Sequence, residues 1–205
     1  MLDPRRPKTT CFLSPRRALR AAATVPQAAD RTPSARPTNA RIRLVNWAPF
    51  QVCEPDQFPP APRGINTPDG LGDRLRVAAF AELQAREAFR WAADTLLDAS
   101  PNLRAAWRRI ADDEHRHLEL LLGRMRELEV DPAARLVSDR LWRSLRSCKS
   151  TKEFVPYMRT AEERGRAAEE SFRRSLAERD PITSALFGKI ADDEAEHIAL
   201  SRTEL

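Results

Sequence analysis

Residues 110–117 of this chain read Ile-Ala-Asp-Asp-Glu-His-Arg-His, and residues 190–197 read Ile-Ala-Asp-Asp-Glu-Ala-Glu-His. Six of the eight positions agree at an offset of 80 residues. The agreement continues upstream, where Ala81-Glu82 aligns with Ala161-Glu162, Arg86 with Arg166 and Ala88 with Ala168. Glu82 precedes Glu114 by 32 residues, and Glu162 precedes Glu194 by the same 32. A period shared by separate pairs of positions marks a duplicated supersecondary unit. Each unit carries one lone glutamate and then, after a turn, a Glu-x-x-His. On a helix, residues i and i+3 share a face. Glu114 and His117 therefore point one way, as do Glu194 and His197.

The pattern around the repeat is helical. A first helix is expected from Asp73 to Asp98, with Pro68-Asp69-Gly70 turning the chain into it. Ser100-Pro101 offers an N-cap followed by proline at the first helical position, where its missing N–H costs nothing. That predicts a second helix running to about Glu129. Asp131-Pro132 repeats the signal and predicts a shorter helix to Ser147; Asp180-Pro181 repeats it for the last helix. Between them Thr151 to Arg179 reads as a third long helix, with Pro156 tolerated near its start. Four long helices with one long connection imply two helical hairpins joined by a crossover. The expected fold is thus all-α, a four-helix bundle over residues 71–205 with a short extra helix in the crossover.

The candidate ligands fall on the apolar stripes of these helices. Leu75, Ala78 and Phe89 flank Glu82; Leu103, Trp107, Ile110 and Leu121 flank Glu114 and His117. Val155, Met158 and Phe172 flank Glu162; Leu186, Ile190 and Ile198 flank Glu194 and His197. Carboxylates placed among core residues are costly unless compensated. Four glutamates carry four negative charges, which two divalent cations would cancel, with two neutral imidazoles completing the set. Asp113 and Asp193 precede the motif glutamates. A ligating imidazole usually donates its other N–H to a carboxylate, so Asp113 is expected to hold His197 and Asp193 to hold His117. Glu169, two turns after Glu162 on the same face, is a candidate extra ligand or proton relay. His115 lies off the ligand face and is expected in solvent. Arg86 and Arg166 either pair with the site carboxylates or line the bundle end. Trp91, Trp107 and Trp142 are expected in the core or at an interface.

Charge is unevenly divided. Residues 1–50 hold ten Lys/Arg against Asp3 and Asp30, while the whole chain is only +5, so the remainder is near-neutral and slightly acidic. The bulk charge of the helical part gives nucleic acid no support. Residues 1–40 read as a disordered basic tail, and the compartment as cytoplasmic, or organellar if this Arg-rich leader is a transit peptide. Residues 41–70, dense in proline yet carrying Leu44, Val45, Trp47, Phe50, Val52 and Phe58, read as an extended strap lying on the bundle. No stretch is long and apolar enough to span a membrane. Cys11, Cys53 and Cys148 form neither a disulfide framework nor a CxxC metal spacing.

From about residue 72 to 200 the chain resembles the ferritin-like superfamily, which includes rubrerythrins, di-iron hydroxylases and the small subunit of ribonucleotide reductase. Asp113-Glu114-His115-Arg116-His117 is similar to the Asp-Glu-x-Arg-His signature of di-iron oxygenases; the second copy has Glu196 where that signature has arginine. Phe80-Ala81-Glu82-Leu83-Gln84-Ala85 behind a proline-rich strap is similar to a bacterial ferritin-like family of unknown function. The resemblance implies a ligand set of one Glu from each of two helices and a Glu-x-x-His from each of the others. Glu82, Glu114 and His117 would hold one iron and Glu162, Glu194 and His197 the other, with one or two glutamates bridging. Manganese or a mixed pair suits the same donors. The implied function is an oxidoreductase that activates O2 or peroxide on a small organic substrate. An electron-donor protein and a homodimer are the expected partners. The alternatives are a non-catalytic iron-binding or ferroxidase-type protein, and a di-iron tRNA-modifying hydroxylase. Storage ferritins lack a second Glu-x-x-His in this form, so His197 argues against a simple storage cage, and rubrerythrin would need a four-cysteine rubredoxin module, which three scattered cysteines cannot make.

Overall fold

The computed structural model describes residues 45–203, with side chains described as far as Leu200. The expected basic tail, residues 1–40, lies outside the described residues. Five helices follow in order: α1 (Pro68–Thr95), α2 (Pro101–Glu127), α3 (Arg140–Arg146), α4 (Thr151–Leu176) and α5 (Pro181–Thr203). Among the described residues there is no strand, only an isolated parallel bridge between Val52 and Val137.

The helix starts follow from capping chemistry. Ser100 Oγ accepts the Leu103 N–H at 3.1 Å, with Pro101 next to it. Thr67 does the same for α1, its Oγ1 accepting the Gly70 N–H at 3.0 Å with Pro68 at the first helical position. Pro68-Asp69-Gly70 is therefore the first turn of α1, and not the turn leading into it that its composition suggests. Gly70 is there for space: a β-carbon would fall 1.8 Å from the Gly64 carbonyl oxygen. Asp180 caps α5, accepting the Thr183 N–H at 3.0 Å. Asp131-Pro132 has the same composition but opens no helix. Asp131 Oδ1 accepts from the Ala133 N–H at 2.8 Å, closing a local turn, and α3 begins only at Arg140. α2 ends in paired bonds from Val130 N–H to Met125 O (2.8 Å) and Glu129 N–H to Arg126 O (3.1 Å), with Glu129 at φ 55°.

α1 packs most extensively on α2 and α4 on α5, giving two hairpins joined by the crossover that contains α3. Trp47 and Phe50 of the segment before α1 pack on Phe80 of α1 at ring-centroid distances of 5.4 and 5.2 Å, and Trp47 also meets Trp142 of α3 at 6.1 Å. Polar bonds fix the crossover. Gln84 Oε1 accepts the Trp142 N–H at 3.0 Å inside the core. The buried Asp73 carboxylate takes Arg63, Arg76 and Arg135 from three different segments, and Arg63 beside it holds that carboxyl well below its ordinary range. Arg124 of α2 clamps Asp180 at 3.0 and 3.1 Å, tying α2 to the start of α5.

The core has two apolar layers. One gathers Phe89, Trp107, Ile110, Trp142, Phe154 and Met158. The other gathers Phe80, Leu83, Leu118, Leu121, Phe187 and Ile190. On each long helix the run from one layer to the other is interrupted by glutamate or histidine. The bundle thus encloses a polar slab between two hydrophobic halves.

Candidate metal centre

That slab consists of the six repeat residues. Glu82, Glu114, His117, Glu162, Glu194 and His197 are all buried, Glu114 and His117 with 1% exposure each. They form two groups. Glu82, Glu114, His117 and Glu194 each offer one donor atom within 4.8 Å of the others; Glu114, Glu162, Glu194 and His197 do likewise. Glu114 and Glu194 belong to both groups. Donors about 2.0–2.2 Å from a shared cation stand roughly 3–4 Å apart, which is the spacing found around the two imidazoles. His117 Nδ1 is 3.4 Å from Glu82, 3.6 Å from Glu194 and 3.9 Å from Glu114. His197 Nδ1 is 3.3 Å from Glu114, 3.5 Å from Glu194 and 3.6 Å from Glu162.

The outer ring nitrogens each meet an aspartate. His117 Nε2 lies 3.0 Å from Asp193, and His197 Nε2 lies 3.3 Å from Asp113. Each aspartate sits one residue before its own motif glutamate. That offset turns it off the ligand face and toward the histidine of the other hairpin. An Nε2–H donated to the aspartate leaves the Nδ1 lone pair facing the carboxylates. Both Nδ1 atoms are buried without a hydrogen-bond partner, as are Glu114 Oε1 and both oxygens of Glu162. Orphaned acceptors converging in the core are what a cation site requires and what a purely structural polar cluster avoids. The donor set of carboxylates and imidazoles fits iron or manganese.

Electrostatics point the same way. Burial, with repulsion from Glu114 and Glu194, pushes the Glu82 carboxyl well up. Burial, with Glu194 and Glu114, does the same to Glu162, and burial with Glu194 raises Glu114. Burial would lower both imidazoles, yet Glu82 and Asp193 raise His117, and Glu114, Glu162 and Glu194 raise His197. Burial would raise Glu194 too, yet hydrogen bonds with Glu162 and His197 hold it below its ordinary range, so without cations the set is pushed toward sharing protons.

Glu169 adds a fifth carboxyl. It is 4% exposed, its Oε2 has no hydrogen-bond partner, and burial with repulsion from Glu82 and Glu194 pushes it up to about 9. It stands outside both ligand groups but lines a cavity of about 50 Å³ together with Glu82, Glu114, Glu162 and Glu194. The other walls are small, Ala81, Ala85, Ala161 and Gly165 among them, with Leu141 contributed by the crossover. Ala81 and Ala161 belong to the sequence repeat, whereas Leu141 shows no signal short of the tertiary fold. His115 is exposed and meets Arg86 at 3.2 Å. Arg86 pairs with Glu87, and Arg166 with Glu170 and the Ala191 carbonyl, so neither is spent on the buried glutamates. Trp107 and Trp142 are core residues, and Trp91 is half-buried beside Trp142 and Phe154.

No curated protein matches the sequence. A family model does, the rubrerythrin model, over residues 73–205. The match spans the four long helices and the crossover. The match corrects the expectation that the lack of four clustered cysteines rules out rubrerythrin: the helical region carries the likeness without them. With the all-helical bundle and its duplicated Glu and Glu-x-x-His residues in place, the chain belongs to the rubrerythrin family of the ferritin-like di-iron superfamily.

Proposed function

We propose that this protein is a di-iron oxidoreductase that uses dioxygen or peroxide as oxidant. The observation that carries the reading is the pair of orphaned histidine Nδ1 atoms, each facing three buried glutamates and each backed by an aspartate on Nε2. Glu82, Glu114 and His117 would hold one metal and Glu162, Glu194 and His197 the other, with Glu114 and Glu194 shared. Bound as Fe(II), the pair would supply two electrons to the oxidant. The chain's own residues exclude bulk water from the slab, hold the imidazoles in one tautomer and keep a proton on Glu169. The family match and the neutral charge balance of four glutamates with two divalent cations support iron; manganese suits the same donors.

The spaces against the cluster are about 20 and 50 Å³, far below the roughly 300–1,000 Å³ of an ordinary small-molecule site. They suit an oxidant and water. An organic substrate of ordinary size fits instead the open groove of about 540 Å³ on the α2 and α5 face, where His115, Leu120, Lys189 and Asp193 reach the edge of His117. Anaerobic loading with Fe(II), followed by O2, tests the reading. The expected result is two irons bound per chain and a transient absorbing species on oxygenation. Failure to bind two irons would sink the site, and binding followed by iron oxidation alone would make this a ferroxidase-type protein.

A further inference from the structure

A second cavity meets the cluster, and its walls differ in kind from those beside Glu169. It lies in the apolar layer that contains Phe89, Trp107 and Phe154, and it reaches Glu162 and His197. Arg159 is the other polar residue on its wall. Met158 and Glu162 stand in the wall of both cavities, so the two approach the cluster from either side of the same turn of α4. The apolar cavity measures about 20 Å³, somewhat more than one water-sized sphere and enough for a diatomic molecule.

Polarity decides what enters each. A void lined by aromatic and aliphatic carbon stays dry and accepts apolar guests. Away from the cavity's Arg159, Glu162 and His197 end, hydrogen peroxide and water would find no hydrogen-bond partner on the Phe89, Leu103, Trp107, Ile110 and Phe154 wall. Dioxygen has no such bonds to lose. The cavity lined by five carboxyls has the opposite character and suits water and protons.

We propose that the apolar cavity bounded by Phe89, Trp107, Phe154 and Met158 is a dioxygen site that delivers O2 to the Glu162–His197 side of the cluster, while water and protons use the carboxyl-lined cavity. The second half of this statement rests on the redox reading above; the occupancy of the cavity does not. Dioxygen is itself a paramagnetic probe. In the metal-free, methyl-labelled full-length protein under oxygen pressure, the methyl resonances of Leu103, Ile110, Val155 and Met158 are expected to relax faster than those of Leu118 and Val137, which are buried to a similar degree in the other layer. Val155→Ile adds one methylene to the wall and should abolish the difference; Val155→Ala widens the space and should increase it. In the iron-loaded protein, Val155→Ile should lower the rate of oxidation by O2 several-fold relative to the rate with hydrogen peroxide. Equal relaxation in both layers overturns the proposal, as does a Val155→Ile variant that slows both oxidants in the same proportion. A chain that binds no iron removes the redox reading, and the relaxation experiment then still decides what the cavity holds.

Discussion

Asp193 does its work through one atom of another residue. Its carboxylate lies 3.0 Å from His117 Nε2, and an N–H donated to it leaves Nδ1 as the nitrogen that can bind a cation among the glutamates. Carboxylates in this position typically contribute about 10- to 100-fold in metal affinity. Asp193→Ala is therefore expected to weaken Fe(II) retention by about that factor in a chelator competition, and unchanged affinity would remove Asp193 from the site. Glu169 makes a different test. An ordinary glutamate titrates at 4.5, and this one is pushed up to about 9 by burial and by Glu82 and Glu194. Between those limits the folded, metal-free chain keeps a proton that the unfolded chain has lost. Stability contributed here is full below 4.5 and drains away as pH rises toward 9, by about 1.4 kcal/mol per pH unit. Glu169→Gln keeps the shape without the titration. It should melt above the wild type at pH 8 in the absence of metal and converge with it near pH 4.5. Identical melting temperatures at pH 8 would show that Glu169 is ionised freely in the fold.

At the scale of the element, two serines with the same apparent role part company. Ser100 Oγ caps α2 by accepting the Leu103 N–H. Ser150 precedes α4 in an extended conformation, but its side chain makes no cap bond. Loss of a working cap costs about 0.5–2 kcal/mol, so Ser100→Ala should lower the unfolding free energy measured by denaturant titration by that amount while Ser150→Ala leaves it nearly unchanged. Equal effects would mean that backbone conformation alone defines these helix starts. The same comparison explains which helix boundaries were legible. Ser100-Pro101 and Asp180-Pro181 open helices because hydrophobic periodicity follows them at once. Asp131-Pro132 opens a turn, because Asp131 spends its carboxylate on the Ala133 N–H and the next residues have no stripe to bury. Pro156 lies inside α4 without ending it, since Phe154, Val155 and Met158 bury on either side of it.

For the whole molecule, the polar slab is the weak plane between two apolar layers, and cations would bind it together. Loading with two divalent metals would displace the protons that burial and mutual repulsion favour on Glu82 and Glu162. Binding should release protons and weaken as pH falls. A ligand at a hundredfold excess over its dissociation constant stabilises by about 2.7 kcal/mol, and each kcal/mol moves the melting point of a domain this size by about 2–4 °C. A rise of several degrees on loading Fe(II) or Mn(II) anaerobically is expected, absent in the double variant His117→Ala/His197→Ala. A metal-independent melting point would show that the slab is satisfied by protons alone.

The sequence by itself determined the duplicated unit, the all-helical bundle and the six residues brought together at its centre. Those follow from local rules: i,i+3 spacing puts glutamate and histidine on one face, and period and charge then require the faces to meet. It also placed Asp113 and Asp193 opposite the histidines of the other hairpin, because a residue one step before the ligand face can reach only the neighbouring helix. Only the tertiary structure decided that Glu114 and Glu194 stand in both donor groups, that Glu169 is buried beside the cluster, and that an apolar and a carboxyl-lined cavity adjoin it. Each of these depends on distances between helices and on side chains, such as Leu141 and Met158, that come from segments far apart in the chain. No periodicity within one helix encodes the space left between two.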